Sequence, residues 1–245
     1  MNHLVWTRSK QFWQKDKVIL RQAGVKVSYL PCVSHQEFPR KESVIKQLSS
    51  LSPEKSVFIW TSALAVNAFL DYYQDFDLSS YQNYCLSKKT QSLFLKRGLY
   101  CRVFPGVKTA LDLGKKLLAV YSRSKTFVLP GGTLRAFDLA SFFYTHGSSF
   151  CQFDLYKTKS CYPSYQELDN INRKNSVVCF ASLSAVRGFV GAISDYGLQS
   201  PPFSFKVAAM GPTTAKEVAK YFKQTCVSST TNFESLVKTA TYAFL

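Results

Sequence analysis

The sequence predicts an α/β fold made of two copies of one unit, each alternating strands with helices over a parallel sheet. Three recurring phrases carry this reading. Val57 to Leu70 superposes without a gap on Val177 to Val190, matching at Val, Ser, Ala, Val and Phe, a shift of 120. A strand, loop, helix, Gly, strand phrase ending its helix at Gly24 returns with Gly147, a shift of 123. The segment Tyr84 to Leu95 corresponds to Val207 to Val218, a shift of 123 that becomes 124 where Thr90 is laid on Thr214. One order at nearly one spacing points to duplication.

The opening copy reads as a strand at Leu4-Val5-Trp6, a helix around Val18-Ile19-Leu20 and a strand from Val25 to Leu30. Gly24 stands where a helix C-cap takes positive φ, and Pro31 stops the strand. In Val57 to Leu70 and Val177 to Val190 an apolar strand ends at Ser62 or Ser182, and a helix opens on small residues. Later, Phe127 to Pro130 reads as a strand and Gly131-Gly132-Thr133 as a loop. A helix follows from Leu134 to Thr145, then a strand from Phe150 to Tyr156.

The 245 residues are 46% hydrophobic, 15% aromatic and 19% charged, enough apolar content for a packed core throughout and against wholesale disorder. Lys, Arg, Asp or Gly interrupts every apolar run before the ~18 residues a spanning helix needs. Met1 to Lys17 lacks an apolar signal core, so the expectation is a soluble, unsecreted, cytoplasmic protein. Lys plus Arg is 31 against 15 for Asp plus Glu, a net +16. That field favours polyanionic partners: nucleic acid, an anionic surface or a polycarboxylate. The basic residues fall in pairs (Lys88-Lys89, Lys96-Arg97, Lys115-Lys116, Arg173-Lys174) rather than in a tail, and no basic helix or aromatic-basic stacking motif appears, which disfavours nucleic acid. The seven cysteines are odd in number with no C-x-x-C, so neither a disulfide framework nor a zinc site is expected. Cys85 and Cys179 read as small buried hydrophobes in a reducing compartment.

In parallel sheets the strand C-termini face helix N-termini, so Thr61-Ser62, Ser87 to Thr90, Ala181 to Ser184 and Gly211 to Thr214 should gather at sheet rims. Two readings stand for these hydroxyls. They are N-caps, each stabilising its helix by ~1 kcal/mol, or they join the helix amides in holding carboxylates or phosphates. Catalytic groups are scarce otherwise. The histidines are His3, His35 and His146, none in metal-ligand spacing, and no nucleophile elbow, phosphate loop or dinucleotide fingerprint occurs. Asp71, Asp75 and Asp77 read as a solvated helix end rather than a catalytic pair.

In their order these phrases resemble uroporphyrinogen-III synthase over nearly the whole chain. The resemblance rests on Val5-Trp6-Thr7-Arg8, Gly24 to Pro31, and Phe58 to Ala63 with Ala65-Val66. It continues through Val128 to Gly132 with Arg135, Leu155-Tyr156-Lys157-Thr158, Ala208 to Ala215 and Thr231 to Leu236. One segment departs: where the family has Gly-x-x-Thr-Ala, this chain has Ser87-Lys88-Lys89-Thr90-Gln91, replacing a permissive glycine with a Cβ and two cations.

The resemblance implies two α/β domains joined by a two-stranded hinge, the first domain discontinuous. Domain 1 would hold 1–32 and 161–245, domain 2 would hold 38–152, and 33–37 with 153–160 would be the hinge strands. It implies closure of hydroxymethylbilane, a linear tetrapyrrole with eight carboxylates, to uroporphyrinogen III, with loss of water and inversion of the last pyrrole ring. No cofactor or metal is implied, and the protein would be a monomer, with the preceding deaminase as a transient partner and no membrane. Tyr156 is the candidate catalytic residue, as proton donor to the departing hydroxyl or as a structural hinge tyrosine. Arg8, Ser62, Lys89, Thr90, Gly132, Arg135, Ser182, Ser184, Gly211, Thr213 and Thr214 are the candidate substrate contacts. Two alternatives stay open: a non-catalytic two-domain protein binding anions or nucleic acid, and a family relative whose Ser87 to Gln91 segment marks lost activity.

Overall fold

The computed structural model describes residues 2–22, 24–121, 124–135, 137–172, 175–197 and 203–243. The Arg173-Lys174 pair lies outside these. In chain order the fold opens with β1 (His3–Trp6), α1 (Trp13–Arg21), β2 (Lys26–Tyr29) and β3 (Val33–Glu37). There follow α2 (Glu42–Ser49), β4 (Ser56–Trp60), α3 (Ala63–Tyr72), β5 (Gln82–Cys85), α4 (Lys88–Lys96), α5 (Ala110–Val120), β6 (Thr126–Gly132) and α6 (Leu139–Thr145). The chain returns through β7 (Ser149–Ser160) and ends with α7 (Tyr165–Ile171), β8 (Ser176–Phe180), α8 (Leu183–Asp195), β9 (Lys206–Ala209), α9 (Gly211–Val218), β10 (Thr225–Val227) and α10 (Phe233–Tyr242).

Contacts divide the chain into two units, 1–35 with 158–245 and 36–157. The first holds a five-stranded sheet ordered β10-β9-β8-β1-β2, parallel in every pair. The second sheet runs β3-β7-β6-β4-β5, with β7-β6, β6-β4 and β4-β5 parallel. Its edge pair differs from the all-parallel expectation. Cys161 N–H donates to Cys32 O at 3.0 Å and Phe38 N–H to Leu155 O at 2.8 Å, so β3 and β7 run oppositely. These two strands carry the chain between the units.

Both sheets bury two faces, which is why β4 and β8 are unbroken apolar runs rather than alternating ones. In β4, Phe58 and Trp60 join α2, α3 and α4 on one side, while Val57 and Ile59 join α5 and α6 on the other. In β8, Val178 and Phe180 face α7, α8 and α9, while Val177 and Cys179 face α1 and α10. Each large side chain sealed this way contributes ~2–3 kcal/mol of transfer free energy. The predicted duplication is visible residue by residue, because burial runs identically over 61–70 and 181–190.

Four local expectations are corrected. Gly131 and Gly132 belong to β6 rather than to a loop. The following helix begins at Leu139, not Leu134, because the Asp138 carboxylate caps it by accepting Ser141 N–H at 3.1 Å. The strand expected to end at Tyr156 continues to Ser160. Cys85 is buried as expected but is joined to Cys101 in a disulfide, which the wide cysteine spacing concealed. Cys179 is free and buried, which pushes its thiol pKa up. Among the described residues no helix is long and apolar enough to cross a membrane.

Candidate functional site

Because β4, β5, β6 and β7 are connected in register and parallel, their C-terminal ends share one rim of the second unit's sheet. At the end of β4, Ser62 holds extended backbone and its Oγ accepts Ala65 N–H at 3.0 Å, capping α3. At the end of β5, Ser87 caps α4 in the same way, its Oγ accepting Thr90 N–H at 3.2 Å and lying 3.0 Å from Thr90 Oγ1. Thr90 is buried by this arrangement, while Lys89 is exposed on the first turn of α4.

Tyr156 reaches this rim through a break in register. Asp154 lies opposite Gly131 but Tyr156 lies opposite Gly132, so β7 spends one extra residue at Leu155. Phe153 and Leu155 already face the α3 side of the sheet; strict alternation would send Tyr156 to the other face, yet it packs with them. Its ring lies against Gly132, and its hydroxyl is 3.1 Å from Ser62 Oγ. Thr133 N–H then donates to Tyr156 O at 3.0 Å.

The first unit's rim is built from β1, β8, β9 and β10. Thr7 donates its hydroxyl to Cys179 O at 2.7 Å and is fully buried, a tether between β1 and β8 rather than a ligand group. Arg8 extends past β1 with its guanidinium 3.8 Å from the Phe12 ring centre and 4.2 Å from that of Phe233. Nη1 donates to both carboxylate oxygens of buried Asp16, at 2.8 and 3.0 Å, and Trp6 Nε1–H adds a bond to Asp16 at 3.0 Å. Burial pushes the Arg8 pKa down and Asp16 opposes that shift. The charge of Arg8 is therefore balanced inside the fold. Ser182 caps α8 by accepting Ala185 N–H at 3.3 Å, and Ser184 sits half-buried one residue into that helix. Gly211 opens α9 with φ 76 and donates its N–H to Ser228 Oγ at 3.2 Å; Thr213 is exposed and Thr214 buried in the first turns.

Each unit thus gathers the hydroxyls and helix N-termini the sequence pointed to. The cap reading holds at Ser62, Ser87 and Ser182, and a side-chain cap satisfies only one of the four N–H groups at a helix start, leaving donors for an anion. Arg135 is already met by Asp154, Nη2 to Oδ1 at 2.5 Å. Asp16, Asp154, Phe12, Phe233 and Ser228 were missed; they lie 4 to 225 residues from their partners with no local motif to mark them. The acidic cluster behaves as expected of a solvated helix end. Asp75 pairs with Arg40 at 2.5 Å and Asp71 with Arg97 at 2.9 Å, and the hydrogen bonds from Arg40 hold the Asp75 carboxyl below its ordinary pKa. A cavity of about 570 Å³ lined by Leu70, Tyr73, Phe76, Leu78 and Arg97 opens there, at the end of α3 remote from Ser62. Among the described residues no group of His, Cys, Asp and Glu is placed to hold a metal.

Two α/β units, each with a five-stranded sheet whose strand ends lead into helix N-termini, define a two-domain α/β protein. A family model, HEM4, Uroporphyrinogen-III synthase HemD, matches residues 15–238. The chain belongs to that family. The fold is similar to uroporphyrinogen-III synthetase from Helicobacter pylori 26695, with 17% identity, 99% of this chain and 100% of that chain covered, and a TM-score of 0.65. It is equally similar to a mutant uroporphyrinogen III synthase from the extremely thermophilic bacterium Thermus thermophilus, with 14% identity, 97% and 96% coverage and a TM-score of 0.65. No curated protein matches by sequence.

Proposed function

We propose that the chain is an active uroporphyrinogen-III synthase, a hydro-lyase that closes hydroxymethylbilane with inversion of its last pyrrole ring. The observation that carries the reading is the Tyr156 hydroxyl, held 3.1 Å from Ser62 Oγ at a rim of capped helix N-termini. The pyrrole nitrogen of the substrate expels the terminal hydroxyl, and the phenol O–H of Tyr156 supplies the proton that lets it leave as water. The proton comes back when the inverted ring regains aromaticity, so the net change is loss of one water. The bilane closes unaided to the uninverted isomer, so the protein's task is to hold a folded conformer in which one closure precedes the other.

Eight carboxylates are met by many modest contacts: first-turn amides of α3, α4, α8 and α9, the hydroxyls of Ser62, Ser182, Ser184, Thr213 and Thr214, Lys89 on α4, and the overall +16 field. Arg8 and Arg135 enter this set as shaping residues, since Asp16 and Asp154 hold their charges. Ser87 keeps the α4 N-terminus ordered without glycine, which supports activity despite the departure at Ser87 to Gln91. The reading needs no cofactor.

The test is a coupled assay in which porphobilinogen and its deaminase generate the bilane, this protein is added, and oxidised products are separated by isomer. A shift of the product from isomer I to isomer III establishes the activity. Isomer I alone, from a protein with a cooperative melt, overturns it and leaves salt-dependent anion or nucleic-acid binding as the reading to measure.

A further inference from the structure

We propose that Ser62 and Gly132 are positioning residues for Tyr156: Gly132 clears the space its ring fills, and Ser62 orients its hydroxyl so that the phenol proton points outward. The inference rests on the catalytic reading of Tyr156, but its geometry stands apart from any activity. Three independent features of the chain converge on one ring. The register break between Gly131 and Gly132 places Tyr156 opposite Gly132 and turns it to the α3 side. A Cβ on Gly132 would lie 2.5 Å from Tyr156 Cε2 and 2.7 Å from Cζ, so no other residue type fits without moving the ring. Ser62, fixed by its own capping bond to Ala65 N–H, ends 3.1 Å from the hydroxyl.

The capping bond is what makes Ser62 directional. Its Oγ already accepts one N–H from the positive end of α3, so its own proton is the group best placed to turn toward Tyr156 Oη. With Oη accepting that proton, the phenol O–H rotates away from the sheet, where a leaving hydroxyl can take it. The amino-acid choice at two positions 70 residues apart, a serine cap and a strand-end glycine, is then explained by a third, 24 residues beyond the glycine. Neither Ser62 nor Gly132 needs to touch the substrate for this role.

The experiment combines kinetics with a structural signal. Ser62→Ala is expected to lower kcat about tenfold with KM within a few-fold, a loss of the size that slight misplacement causes. The same substitution in a Tyr156→Phe background is expected to change kcat by less than about twofold, because the two act as one unit. Ser62→Thr, which keeps the hydroxyl and the cap, should restore most of the rate. In protein labelled with 3-fluorotyrosine, the fluorine resonance that disappears in Tyr156→Phe identifies the ring, and it should shift in both Ser62→Ala and Gly132→Ala. Equal kcat losses in the two backgrounds would overturn the inference, as would a Tyr156 resonance unmoved in both variants. If the wild type yields isomer I alone, the catalytic reading fails on its own, and the fluorine resonance still decides whether Ser62 and Gly132 set the ring.

Discussion

Ser87 and Gly211 occupy the same place in the two copies of one α/β phrase and hold it in opposite ways. Ser87 is extended, at φ −141 and ψ 152, and its side chain caps α4. Gly211 is left-handed at φ 76 and is itself held, its N–H bonded to Ser228. A side-chain cap does at Ser87 what a left-handed turn does at Gly211.

Substitution should separate the two solutions. An alanine at Gly211 meets the ~1–2 kcal/mol penalty of left-handed backbone, and its Cβ would lie 2.7 Å from Thr231 Cγ2. Gly211→Ala is therefore expected to cost about 2 kcal/mol or more in urea unfolding, against ~1 kcal/mol for the lost cap in Ser87→Ala. Equal costs would mean that Gly211 is not strained against substitution.

Tyr156→Phe removes one oxygen and keeps the ring against Gly132. General acid catalysis is worth ~10²–10⁴-fold, so kcat for isomer III should fall by at least about a hundredfold while KM stays within a few-fold. Unchanged turnover in the coupled assay would assign Tyr156 to structure.

Much of this was readable in the sequence because parallel sheets write themselves as apolar runs with hydroxyl stops. Val57 to Leu70 and Val177 to Val190 announced both β4-α3 and β8-α8, and the serines at their turns proved to be the caps. What stayed hidden was long-range. Nothing near Arg8 signals that Asp16 neutralises it, nothing links Cys85 to Cys101, and a one-residue register slip at Gly132 has no sequence signature beyond the glycines. Gly131-Gly132 reads as a loop because a glycine pair normally ends a strand; here the missing Cβ is used for close approach of a neighbouring ring.

The Arg8 and Asp16 pair is buried, with side chains 17% and 2% exposed. Removing one partner strands the other, at ~3–5 kcal/mol for a buried pair, with the lower end expected here because Arg8 keeps some access to water. Asp16→Ala should thus lower stability by about 3 kcal/mol in urea, and Arg8→Met added to it should recover much of that loss. If the double variant is no more stable than Asp16→Ala, the cost lies in the Trp6 bond instead.

Cys85 and Cys101 close a span of 16 residues that leaves β5, forms α4 and returns beside Tyr84 at Arg102. In the chain-entropy account a loop of that size contributes about 3 kcal/mol. Refolding in a phosphine reductant should lower the urea stability of the wild type by that order and leave a Cys85→Ala, Cys101→Ala double variant unaffected. A reductant effect of the same size on both would place its origin elsewhere.

His35 gives the protein a pH dependence of definite sign. It lies on β3 with Nδ1 3.0 Å from Thr158 Oγ1, and its pKa is lowered from the ordinary 6.5, first by burial and then by the positive charge of Arg8. A histidine with a lowered folded-state pKa binds its proton more readily in the unfolded chain, so its contribution to stability is complete above pH 6.5 and is lost as pH falls through 6.5 toward the folded value. The lowered carboxylates Asp75, Asp77 and Glu217, with ordinary values of 3.8, 3.8 and 4.5, also lose stability on acidification but in a lower window. Between about pH 7.5 and 5.5 the melting temperature should therefore fall with a slope to which His35 contributes visibly, and His35→Gln, which cannot take up the proton, should flatten it. Parallel slopes for wild type and variant across that window would show that another group carries the dependence.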